Sequence, residues 1–94
     1  MSDIETRPWD IAEHLDSEEM IAAYLALVFQ DGDAAEIREA LGHVARAKGM
    51  SGIATEAGIT REALYRALGK DGNPTLDTLL GVVKALGVKL SVAA

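Results

Sequence analysis

The sequence predicts an all-α domain of about five helices, followed by one short C-terminal β-strand. Three observations carry that expectation. Apolar residues recur at three- and four-residue spacing in runs that open just after Ser, Asp or Thr. Glycines stand where these runs stop, at positions 32, 49, 58 and 87. Beyond Gly87 the period shortens, with Val88, Leu90 and Val92 alternating with Lys89, Ser91 and Ala93.

The first segment contains "TRPWD", where Pro8 favours an extended residue before it, and a short helix can open at Trp9 or Asp10 and run through Leu15. Ser17 is a good N-cap, and Glu18 and Glu19 sit in the first turn, where the helix dipole favours negative charge. The helix that follows, over about 17–30, is apolar on nearly all sides, so burial by more than one neighbour is expected, with Met20, Tyr24 and Phe29 in the core. Asp33 can cap the next helix, 34–48, whose stripe is Ile37, Leu41, Val44 and Ala45; Arg38, Glu39, Arg46 and Lys48 lie mostly off it. Ser51 is expected to cap a short helix over 52–57, and Thr60 another over 61–68. "GKDGNPT" reads as a loop. Thr75 then caps a last helix over 76–86, expected to bury Leu76, Leu79, Leu80, Val83 and Leu86. A lone terminal strand leaves backbone groups unpaired. Its candidate partners are the "ETRPW" segment or the same strand of a second chain.

Ninety-four residues suffice for one core. The absence of cysteine excludes a disulfide framework and a thiolate metal site, as expected of a reducing cytoplasm. The opening "MSDIETRPWD" has no basic run followed by an apolar stretch, so no secretory signal is expected. The longest apolar run, "MIAAYLALVF", is half the ~20 residues a bilayer requires, so no membrane partner is expected.

The formal net charge of −6 is unevenly distributed. Residues 1–33 carry nine carboxylates against Arg7 alone, a balance of −8, whereas residues 34–94 carry eight bases against six acids, a balance of +2. Such asymmetry points to different partners for an acidic arm and helix (1–33) and a weakly basic domain (34–94).

"GIATEAGITREALYRALG", residues 52–69, joins two short helices through one glycine, the pattern of a helix-turn-helix. Gly58 supplies the positive φ of the turn. Ala54 is small enough for a close crossing, and Ile53, Ile59 and Leu64 would lock the angle, with Leu68 extending the buried face. With Leu64 and Leu68 inward, helical spacing turns Arg61, Glu62, Tyr65, Arg66 and Gly69 outward. A guanidinium at Arg61, near the helix N-terminus, can take guanine O6 and N7 together. Arg66 and Lys70 could reach phosphate oxygens, as could Ser51 or Thr55. Tyr65 could touch phosphate or a thymine methyl. Glu62 could accept from cytosine or simply hold Arg61 or Arg66. Thr60 is the cap that presents this helix.

Residues 34–92 resemble the lambda repressor-like helix-turn-helix domains of the Cro/xenobiotic-response type. "TRPWDIAEHL", "EEMIAAYLALVFQDGD", "ALGHVARAKGMSGIA", "ALYRAL" and "DGNPTLDTLLGVVKALGVKLSV" are similar, more specifically, to the addiction-module antidote proteins, antitoxins of small toxin–antitoxin operons. The resemblance implies two activities: sequestering a small basic toxin of the RelE/ParE type, and repressing the chain's own operon. It departs at Gly52, where many repressor-like domains have a phosphate-gripping Gln, which leaves Arg61, Tyr65 and Arg66 with more of the contact. It also suggests a use for the acid. Glu18, Glu19, Asp31 and Asp33 would draw in a basic toxin and speed its capture; the terminal strand is the other candidate toxin site. A homodimer would set two recognition helices about 34 Å apart on a palindromic operator in double-stranded DNA.

No cofactor or enzymatic role is expected. His14 and His43 have no partner at ligand spacing, "DGD" lacks the distal Glu of a calcium loop, and no glycine-framed nucleophile turn is present. Trp9 reads as a plug over the domain or a dimer seam. The alternatives are a stand-alone phage-type regulator without a toxin, and an interaction module that no longer binds DNA.

Overall fold

Ser17 opens the first helix as its spacing requires: the side chain accepts from the Met20 amide at 3.2 Å, with Glu18 and Glu19 in the first turn. The computed structural model describes residues 17–94, and among these the chain forms five helices: α1 (Glu18–Asp31), α2 (Ala34–Lys48), α3 (Met50–Ala57), α4 (Arg61–Ala67) and α5 (Leu76–Ala85). "TRPWD", the helix expected through Leu15, Trp9 and His14 lie outside the described residues.

Asp33 caps α2 with a full capping box. The Glu36 amide donates to Asp33 Oδ1, and the Asp33 amide to Glu36 Oε1, both at 2.9 Å. Thr60 caps α4 by accepting from the Ala63 amide, and Thr75 caps α5 by accepting from Thr78. Ser51 does not cap α3. That helix starts one residue earlier, with Gly49 (φ +109°) at the N-cap and no side-chain bond, because the left-handed turn ending α2 leads directly into it. Ser51 lies inside the first turn, where its carbonyl accepts from the Thr55 hydroxyl at 3.0 Å.

A single core joins all five helices: Ile21 and Leu25 from α1; Ala40, Leu41, Val44 and Ala45 from α2; Met50, Ile53 and Ala54 from α3; Leu64 from α4 and Leu68 just after it; Val82 and Val83 from α5, with Leu86 at its end. The α2 stripe is as the sequence predicts, save that Ile37 is only half-buried. Two apolar expectations fail. Leu76 and Leu80 are 68% and 46% exposed, and Val82 is buried in their place. α5 packs chiefly on α3, Gly81 against Ala57, and that contact turns the Leu79–Val82–Val83–Leu86 face inward. In α1, Met20 and Leu27 are 48% and 69% exposed while Tyr24 and Phe29 are half-buried, because α2 covers just one side of the helix among the described residues.

The expected terminal strand is not formed among the described residues. Residues 88–94 have no regular secondary structure and no backbone hydrogen bond to another described residue. The alternation alone does not make a strand, whose hydrogen bonds lie between chains or segments.

Tyr24, Glu39 and His43 line one cleft between α1 and α2. His43 Nε2 is buried there, 4.0 Å from Glu39 Oε2, with no hydrogen-bond partner among the described residues. Burial, reinforced by the Glu39 carboxylate, holds the Tyr24 phenol above its ordinary value of 10.0. The fold thus favours the protonated phenol. That contribution is full below the unfolded-state value and is lost as pH rises through the higher folded value. Melting temperature is expected to fall more steeply above pH 10 in the native chain than in Tyr24→Phe; parallel curves in a thermal melt from pH 8 to 11 would contradict it.

Candidate nucleic-acid interface

The candidate interface begins at the turn between α3 and α4. Gly58 takes φ +78°, its amide donating to the Ala54 and Thr55 carbonyls, so that α3 ends and the chain reverses within three residues. Ile59 then donates to the Ala54 carbonyl at 3.0 Å, which fixes the exit. α4 is only seven residues long, too short to be stable alone, so its attitude is set by what it buries. Leu64 is fully buried and Leu68 is 5% exposed. Both sit in the core with Ile53 and Ala54.

The opposite face carries the polar set. Arg61, Glu62, Tyr65 and Arg66 are all exposed, and Thr60 stands at the head of the helix. The Arg61 guanidinium lies 5.2 Å from the centre of the Tyr65 ring, and its Nη2 donates to the Tyr65 hydroxyl at 3.4 Å. One arm of the fork is therefore braced on an aromatic ring one turn away, while the rest faces solvent.

Ser51 and Thr55 are exposed on α3 and line an open cleft with Lys48, Gly52 and Lys84, to which Glu18 contributes its side chain. A Cβ at Gly52 would meet nothing within 4 Å, so packing does not demand glycine there. Lys70 is exposed just past α4.

A residue that sequence reasoning passed over holds this helix from behind. Arg38 of α2 donates from Nε to the Gly69 carbonyl at 2.7 Å and from Nη2 to the Lys70 carbonyl at 2.8 Å. These carbonyls lie in the turn just past the C-terminal end of α4, on the side where the helix dipole is negative and a cation is favoured. No local signal marks Arg38 for this, since its partners lie 31 and 32 residues away.

The acidic residues do not form one patch. Glu18 and Glu19 begin α1, whereas Asp31 ends it, about 20 Å away at 1.5 Å per residue. Asp33 is committed to its capping box, and the Glu18 side chain lies against Gly87. Among the described residues no group of three or more His, Cys, Asp or Glu could hold a metal ion. No described helix is long and apolar enough to cross a membrane.

A family model described as "Probable addiction module antidote protein" matches residues 5–94. The chain belongs to this antidote family. It is also 49% identical over 86 residues to an uncharacterized protein of Haemophilus influenzae, an alignment that covers 92% of this chain and 89% of the relative. No solved structure matches it. Membership in the antidote family supports an antitoxin role.

Proposed function

We propose that this chain is the antidote of a toxin–antitoxin module, binding a small basic RelE/ParE-type toxin directly and repressing its own operon as a homodimer through a lambda repressor-like helix-turn-helix, α3–Gly58–α4. The observation that carries the DNA reading is the division of α4: Leu64 and Leu68 buried, Arg61, Glu62, Tyr65 and Arg66 exposed. Arg61, held at the N-terminal end by Tyr65, reads guanine in the major groove. Arg66, Lys70, Ser51 and Thr55 grip phosphate, and Tyr65 and Glu62 meet phosphate or base edges beside Arg61. Two copies related by a two-fold axis address the two halves of a palindrome, which compensates for the weakly basic face of each.

The carboxylates of residues 17–33 act as a field rather than a contact patch. Glu18 and Glu19 at one end of α1, and Asp31 and Asp33 at the other, draw in a basic toxin from solution.

Titration of the chain's own promoter DNA at two salt concentrations tests the reading. Affinity is expected to fall as salt rises. Arg61→Ala should cost about 1–3 kcal/mol and relax base preference at one position, while Arg66→Ala should weaken all sequences and lower the salt slope by about one. Failure to bind at low salt would end the DNA reading. For the toxin, neutralising Glu18, Glu19, Asp31 and Asp33 together should slow association and flatten its salt dependence. An unchanged rate would remove the steering role.

A further inference from the structure

After Gly87, whose φ of +83° turns the chain out of the last helix, residues 88–93 lie beside α1 and form a groove with it. Ala22, Ala26 and Phe29 make one wall and residues 88–93, polar and apolar alike, the other; neither α3 nor α4 contributes a residue. The tail alternates apolar and polar residues but makes no ladder bond to any described residue. Val92 is 99% exposed and Leu90 44%. An open row of backbone donors and acceptors beside an apolar wall is a template for another strand.

We propose that residues 88–92 pair antiparallel with the same segment of a second copy, about a two-fold axis through Leu90. This rests on the homodimer of the functional reading and names its seam. Such an axis sets Leu90 against Leu90, Val88 against Val92 and Lys89 against Ser91. All three large apolar residues then meet one another, and no lysine faces a lysine. An axis through Lys89 would oppose the two lysines, and one through Ser91 would leave Val88 opposite Ala94. Because side chains alternate across a strand, the paired Val and Leu residues stay on one face. Charge argues for a second copy over the toxin. Lys89 is the only charged side chain of residues 88–94, and it would repel a basic partner. Pairing here uses the α1 side of the molecule and leaves the outward face of α4 free for DNA.

The chain has no cysteine, so engineered thiols report register directly. Across an antiparallel pair, facing Cα atoms stand about 4.5–5.5 Å apart, within the 4.4–6.8 Å a disulfide needs. Full-length Leu90→Cys is therefore expected to oxidise to a covalent dimer. Val88→Cys alone should not, because its twin lies four residues along, about 13 Å away; mixed with Val92→Cys it should cross-link. Leu90→Asp sets two carboxylates face to face and should weaken the dimer at least tenfold in sedimentation, with its helical signal unchanged. A native dimer in which Leu90→Cys stays uncoupled, or Val88→Cys couples as readily, overturns the register while leaving the dimer standing. A native monomer overturns both. Leu90→Asp that stays dimeric but loses the toxin assigns the tail to the toxin instead.

Discussion

Leu64→Ala is expected to destabilise the chain by about 3–4 kcal/mol, a large share of the roughly 5–15 kcal/mol that holds an ordinary domain together. The magnitude follows from complete burial: truncation removes the transfer free energy of the side chain and opens a cavity that the surrounding helices close only in part. For a domain of this size each kcal/mol shifts Tm by roughly 4–8 °C, so a fall of more than about 10 °C is expected in a thermal melt. Leu76→Ala is the matched control. It removes the same atoms from a side chain 68% exposed and should change stability by no more than about 0.5 kcal/mol. Equal effects at the two positions would mean that α4 is not seated as described. The functional consequence exceeds the stability loss, since seven residues cannot stay helical without their anchor. Loss of DNA binding is expected even at temperatures where most of the chain remains folded.

The caps and stops were legible because their chemistry is local. Ser17, Asp33, Thr60 and Thr75 each satisfy an amide three residues on, and Gly49 and Gly58 take the left-handed turns that end α2 and α3. The division of α4 was legible for the same reason, Leu64 and Leu68 standing one turn apart in a short amphipathic segment. The face of α5 was not. In "LDTLLGVVKAL" both the 76–79–80–83 and the 79–82–83–86 stripes are apolar, and helical period accommodates either. Only the approach of Gly81 to Ala57 selects the second. The tail's strand is not formed among the described residues because alternation describes which side a residue would face, while the ladder requires a partner that one sequence does not display. Likewise, spacing marked the carboxylates as a charge excess but could not reveal that α1 would hold Glu18 and Asp31 at opposite ends.

Arg38 belongs to neither local nor periodic logic, and its removal is the second large effect. Arg38→Ala breaks two charge-assisted hydrogen bonds, to Gly69 and Lys70, and leaves a partly buried carbonyl without its donor. A cost of about 2–3 kcal/mol is expected in denaturant unfolding. Arg38→Lys should recover less than half, because one ammonium on a flexible stem cannot reproduce a planar fork aimed at two successive carbonyls. The same substitution separates holding α4 from touching DNA. Two of the five N–H donors, one on Nε and one on Nη2, are spent on the backbone, which argues for a brace behind α4 rather than a contact to the duplex. Arg38→Ala should therefore weaken promoter binding, measured well below its melting temperature, by roughly tenfold, since α4 loses the tie at its C-terminal end. It should do so without altering the slope of log affinity against log salt. Arg66→Ala and Lys70→Ala should each reduce that slope by about one, the signature of a lost phosphate contact. A slope reduced by Arg38→Ala as well would place this guanidinium on the duplex and not behind the helix that reads it.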